Sequence, residues 1–203
     1  MTLRYHRVMF GDEVRKAQAA RGSSGYLAED DLPDPGPDRL SESEAAFIEA
    51  RDSFYLATNG AGGWPYLQHR GGPTGFVRLL DDRTLGFADF RGNRQYITLG
   101  NLATDHRASL FFMDYGQRAR LKLIGRLRAV DLTQDAALAA RLALPGYRAG
   151  IERGLLVEVE AFEWNCPQHI TPRVTADEVV PVVRDLQARI AELEAQLAAL
   201  KAR

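Results

Sequence analysis

Gly92, Asn93 and Arg94 come shortly after an apolar run, Thr84–Ala88, and lead into a segment that reads as a helix over Asn93–Asn101. A strand that delivers the chain to a basic helix N-terminus makes an anion site. The first-turn N–H groups are unpaired and the helix dipole favours negative charge. Arg94 adds a forked donor matched to a phosphate. A second group of donors, Gln68, His69 and Arg70, ends another apolar run and leads into Gly71-Gly72, where the backbone allows close approach of a ligand. These three side chains can serve ring carbonyls, ring nitrogens or phosphate oxygens. Alone they fit a polar strand end with no ligand slightly better, since strand ends are commonly polar. Beside Asn93 and Arg94 they point to a phosphate-bearing small molecule.

Two further sets carry weaker signals. Arg120, Lys122, Arg126 and Arg128 alternate with leucines along one strand, which puts the cations on one face. A solvated face explains most of them, and Arg120, at the strand start, is the one placed to reach a ligand. Trp164, Asn165, Cys166 and His169 lie in the loop expected after the last strand, a ligand or interface lid. Cys166 and His169 lack an identifiable third group to orient a thiol–imidazole pair, so Cys166 is expected to be a buried structural residue. The glycine-rich run Asn59–Gly63 sits between two strands and lacks the helix of a dinucleotide fingerprint. No metal-ligand cluster or Ser-His-Asp arrangement has support in the spacing.

These residues must be positioned by a β-rich domain. Short apolar runs at Ser53–Thr58, Pro65–Arg70, Gly75–Leu80, Thr84–Ala88, Ala108–Met113, Arg120–Val130 and Leu155–Phe162 are separated by turns rich in Gly, Pro and Asp. Helices are expected at Asp12–Arg21, after Ser41 (with Glu44 three residues on, a capping-box spacing) and over 133–143. The acidic, proline-containing segment 26–40 reads as a linker or extended arm. The chain divides into an N-terminal helix and arm over 1–40, a β domain over 41–175 and a C-terminal helix over 176–203.

That last helix carries a different pattern. Apolar residues fall at 179, 183, 186, 190, 193, 197 and 200, alternating steps of four and three, the two-position seam of a heptad repeat. Packing on its own β domain would call for a wider stripe, so the helix is expected to pair with a partner subunit or lie along a subunit groove. Pro181 is expected in its first turn.

Composition sets the outer bounds. With 26 basic against 27 acidic residues in 203, the chain lacks the cationic surface of a general nucleic-acid binder. No apolar run approaches the ~20 residues of a membrane span. The N-terminus lacks the apolar core of a signal peptide, and one cysteine excludes an internal disulfide. A soluble, cytoplasmic protein is the expectation.

The stretches WPYLQHRGG, FADFRGNRQY, RLKLIGR and WNCPQHITPR together resemble the pyridoxamine 5′-phosphate oxidase family, and within it the branch of predicted flavin-nucleotide-binding proteins. The resemblance runs from about Ser41 to Arg173. It implies an α+β fold, mainly β with helices: a six-stranded antiparallel split barrel of the FMN-binding type, here followed by the heptad helix. It also implies a homodimer with FMN at the subunit interface. By position, Gln68, His69 and Arg70 would lie along the isoalloxazine and ribityl chain. Phe87 and Ala88 would supply backbone beside the ribityl-phosphate, and Asn93 and Arg94 would bind the phosphate. Arg120 and the Trp164–His169 loop, with Cys166, would come from the other subunit. The basic and tyrosine residues that bind pyridoxal phosphate in the oxidase have no match, so vitamin B6 oxidation is not expected. The resemblance leaves the substrate and electron donor open. It allows a flavin-dependent oxidoreductase, a non-catalytic flavin-binding dimer or a deazaflavin-dependent reductase.

Overall fold

A computed structural model describes residues 2–23 and 32–202. The chain opens with α1 (Leu3–Met9) and α2 (Asp12–Ala19), and the Thr2 hydroxyl caps α1 by accepting from Tyr5 N at 3.1 Å. Of the segment expected as an arm, 26–31 lies outside the described residues, and 32–40 holds no helix or strand. α3 (Glu42–Glu49) starts at the capping box read from the sequence: Ser41 N donates to Glu44 Oε2 at 3.0 Å, and the Ser41 hydroxyl caps the first turn.

Seven strands follow: β1 (Ser53–Asn59), β2 (Pro65–Gly71), β3 (Val77–Asp81), β4 (Thr84–Phe90), then, after the short α4 (Ile97–Asn101), β5 (Arg107–Asp114) and β6 (Ala119–Val130). A 3-10 turn (Leu132–Gln134) and α5 (Ala136–Leu142) lead to β7 (Ile151–Trp164), and α6 (Ala176–Lys201) ends the chain. All pairings are antiparallel, in the order β2-β1-β5-β6-β7-β4-β3. The fold is therefore α+β, as expected, but the sheet has seven strands rather than the six the resemblance implied. Each of the seven apolar runs in the sequence finds a backbone partner, so none is left as a loop. The sheet is also open, since its edge strands β2 and β3 do not pair with each other.

The core is built by period two. Phe54, Leu56 and Thr58 of β1 point inward, as do Leu121, Leu123 and Leu127 of β6. Phe54 stands at the centre of a ring cluster, 5.0 Å from Phe112, 5.2 Å from Phe87 and 5.8 Å from Phe76. Burying each such side chain contributes about 1.5–3 kcal/mol. Gly125 keeps the inward phase of β6 at the point where the β6–β7 register shifts. A Cβ there would fall 2.3 Å from the Glu158 carbonyl oxygen, so only glycine fits.

The N-terminal segment is stitched to β7. Arg4 Nε donates to Glu160 Oε1 at 2.7 Å, Asp38 N to the Glu160 carbonyl at 3.0 Å, and Phe162 N to Asp38 Oδ2 at 3.0 Å. α6 behaves otherwise. It is exposed along its length, and no described contact ties its seam to the sheet. Pro181 is its sixth residue, in the second turn rather than the first, because the Thr175–Glu178 capping box starts the helix at Ala176. Among the described residues no helix is long and apolar enough to cross a membrane.

Candidate functional site

Gln68 and Arg70 lie on one face of β2, and the turn after β4 brings Asn93 and Arg94 against them across a cleft of about 140 Å³. The first turn of α4 (Thr98) and the start of β7 (Glu152, Arg153, Leu155) close its sides. The cleft thus forms where an edge strand, a strand-to-helix turn and the first residues of the longest strand meet.

The turn differs from the expected helix over Asn93–Asn101. Arg94 and Tyr96 have φ of 61° and 54°, in the left-handed region, and α4 begins only at Ile97. Asn93 causes part of this, because its Oδ1 accepts from Gln95 N at 3.2 Å and so folds a local turn that competes with helix. Asn93 and Arg94 are therefore loop residues beside the cleft rather than a helix N-terminus.

The cations of the cleft are unequal. Arg70 donates through Nη1 to Asp89 Oδ1 at 2.6 Å and through Nη2 to Thr98 Oγ1 at 3.3 Å; Thr98 in turn donates to Gln68 Oε1 at 3.2 Å. Arg153 donates to Glu152 Oε2 at 3.0 Å, lies 3.6 Å from Asp89 Oδ2 and covers the Tyr96 ring at 5.3 Å. The Tyr96 hydroxyl reaches Glu152 Oε1 at 3.1 Å. Arg94 has no hydrogen-bonded or ion-paired partner among the described residues. Three guanidinium groups (Arg70, Arg94, Arg153) against two carboxylates (Asp89, Glu152) leave the lining one formal positive charge. Arg70 Nε is buried with no hydrogen-bond partner, and the buried Arg153 Nη1 has only the Asp89 carboxylate, at 3.6 Å. A buried donor without an acceptor is costly and uncommon, and an anionic ligand is one remedy. The donor set fits a phosphate group.

Other expected site residues lie elsewhere. His69 is on the opposite face of β2 from Gln68 and Arg70, with its ring edge-on to Tyr55 at 5.7 Å. Phe87 and Ala88 are both buried; Phe87 belongs to the core cluster, and Ala88, its neighbour on β4, points to the opposite face. Arg120 and Trp164 are neighbours at the far ends of β6 and β7: Asn165 N donates to the Arg120 carbonyl at 3.2 Å. Trp164 Nε1 donates to Glu44 Oε1 at 2.7 Å and its ring meets Phe47 at 4.6 Å. Burial pushes the Glu44 carboxyl up, but the hydrogen bonds from Ser41 and Trp164 outweigh it and hold the group below the usual carboxylate range. Arg120 Nε, like Arg83 Nε, is also buried without a hydrogen-bond partner. His169 is exposed with φ of 63°. Cys166 is exposed, against the expectation of a buried thiol, because β7 ends at Trp164 and the chain leaves the sheet before reaching it.

Sequence reading missed Asp89, Thr98, Glu152 and Arg153. Asp89 was visible inside the FADFRGNR stretch. Glu152 and Arg153 were not, because the apolar alternation that marks the last strand starts at Leu155 and the strand itself at Ile151.

A family model described as pyridoxamine 5′-phosphate oxidase matches residues 40–161, more than half of the chain. No curated protein matches. Solved structures with a similar fold include HupZ from Group A Streptococcus: 16% identity over 66% of this chain and 99% of that one, TM-score 0.47. An FMN-binding protein from Syntrophomonas wolfei is 12% identical over 60% of this chain and 83% of its own, TM-score 0.46. A protein named F420 reductase is 16% identical over 61% and 98%, TM-score 0.45.

Proposed function

Because the chain belongs to the pyridoxamine 5′-phosphate oxidase family, we propose that it is a homodimeric, FMN-binding split-barrel protein of the oxidoreductase type. The observation that carries this reading is the cleft beside β2, where an unpaired Arg94 meets the guanidinium groups of Arg70 and Arg153 and leaves the lining one net positive charge. In the proposed site Arg94 and Arg70 hold the phosphate, with Asn93 beside them. Gln68, held by Thr98, presents its amide to the ribityl chain.

Cleft size supports a site shared between two chains. Sites that enclose a drug-sized ligand run to about 300–1,000 Å³, and this cleft holds about 140 Å³. It has room for the phosphate and part of the ribityl chain but not for a three-ring system. The ring would lie outside it, between subunits, where Arg120 of the partner subunit and the loop carrying Trp164 of the partner subunit would complete the site. A guanidinium facing the pyrimidine edge would stabilise negative charge on the reduced ring. When bound, FMN supplies hydride or electron transfer, and the protein supplies binding, orientation and electrostatics.

The test is the visible spectrum of freshly purified protein, followed by mass spectrometry of the ligand released on denaturation. The reading predicts yellow protein that releases FMN, near one per subunit. Colourless protein that also fails to take up added FMN would contradict it.

A further inference from the structure

We infer that α6 forms a parallel, in-register, two-stranded coiled coil with α6 of a second copy of this chain. The inference is independent of whether the β domain binds flavin.

Its ground is the seam. The helix has 26 residues, about 39 Å at about 1.5 Å per residue. The spacing places Val183, Ile190 and Leu197 at heptad position a and Val179, Leu186, Leu193 and Leu200 at d. All seven are exposed, from 40% at Val179 to 67% at Leu200. A helix standing free of its own domain with such a stripe in water gains little from burial and is marginal alone.

The residue types choose the partner and the direction. β-Branched residues at a with Leu at d favour two parallel strands. Val183 and Ile190 occupy a, and three of the four d positions are Leu. Charge agrees. Arg189 falls at g and Glu194 at e, so in a parallel, in-register pair each Arg189 faces Glu194 of the partner subunit, twice by symmetry. The antiparallel register with the longest overlap would set Val183 against Leu193 of the partner subunit and bring the two Arg189 side chains of the pair together, leaving Arg189 and Glu194 without a counter-charge. Within its own chain Arg189 meets Glu192 at 2.5 Å in an exposed pair, an interaction worth little and readily exchanged. Pro181, with Ala188, Ala195 and Ala202, falls at f, the position farthest from the seam, so the proline does not obstruct pairing.

The experiment is disulfide trapping in the full chain, with Cys166→Ser removing the native thiol. L186C and L200C are made separately, with A188C, at f, as the outward-facing control. A disulfide needs two Cα atoms within about 7 Å, so each d-position variant is expected to give at least about tenfold more covalent dimer than A188C under mild oxidation. Only a parallel, in-register pair lets both d positions link to themselves. The proposal is overturned if either fails to exceed the control, or if L186C links to a chain carrying I190C rather than to itself. A second reading guards against loss of the seam by the cysteines. L193D should reduce the helical circular dichroism of the full chain well beyond A195D at f, and equal effects would also overturn the proposal.

Discussion

Two groups of residues pointed to one site in the sequence, and the structure keeps them apart. Gln68, Arg70, Asn93 and Arg94 meet at a cleft that also takes in the start of β7, at Arg153. Arg120, Trp164 and the loop that follows sit at that strand's other end. From Arg153 to Trp164 the strand runs about 36 Å at about 3.3 Å per residue. The two groups also differ in state. The cleft has an unpaired guanidinium at Arg94, whereas Trp164 is engaged with Glu44 and Phe47. The cleft carries an unpaired cation, while the Trp164 end is fastened to its own α3. If both ends serve one ligand, two copies of the chain must supply them.

The contrast can be broken by substitution. Phe87→Ala acts on the core behind the cleft and should cost about 3–5 kcal/mol of stability by chemical denaturation. A mild effect there would mean that Phe87 is a ligand contact rather than a member of the ring cluster. Arg94→Ala should leave stability unchanged and weaken FMN binding by about 1.5–3 kcal/mol, roughly tenfold to 150-fold in a fluorescence titration. Cys166→Ala, at the other end, should change that affinity little. Equal effects of the two would erase the distinction between the groups. Asp89→Asn raises the formal charge of the cleft from one to two. It should tighten FMN by about 1 kcal/mol, roughly fivefold, while costing about 1–3 kcal/mol of stability as Arg70 loses its partner. Weaker FMN binding would show that Asp89 orients Arg70 for the phosphate.

The smallest effect concerns the Trp164–Glu44 bond and pH. Glu44 titrates below its ordinary value of 4.5 in the folded protein, so it contributes stability that is fully present above that pH and lost as pH falls through the folded value. Trp164→Phe removes one of the hydrogen bonds that depress it. The variant should be about 1 kcal/mol less stable at neutral pH, and the gap to wild type should narrow below pH 4.5. Denaturation curves at about pH 7 and about pH 3.5 measure this, and a constant gap would mean that the bond is not what depresses the carboxyl.

The strands were legible because their signal is local. Alternation at Phe54, Leu56 and Thr58, or at Leu121, Leu123 and Leu127, sets both the element and its buried face. The same rule separates His69 from Gln68 and Arg70, since neighbours on a strand point to opposite faces. Grouping the three by chemistry alone obscured it. The turn at 92–96 was not legible. Its apolar pattern suits a helix, but the left-handed Tyr96 is held by Glu152 and Arg153 of distant β7. The pairing of Arg70 with Asp89 likewise depends on strands that are not sequence neighbours. For α6 the sequence alone showed the seam, and the structure added that nothing described in its own chain covers it.

The central claim is that the cleft beside β2 holds the phosphate of a flavin nucleotide. The most direct measurement compares the affinities of FMN and riboflavin, which differ only in that phosphate, for the wild-type protein by equilibrium titration. The account predicts FMN tighter by at least about tenfold, the worth of one charge-assisted hydrogen bond set. Riboflavin binding as tightly as FMN would contradict it.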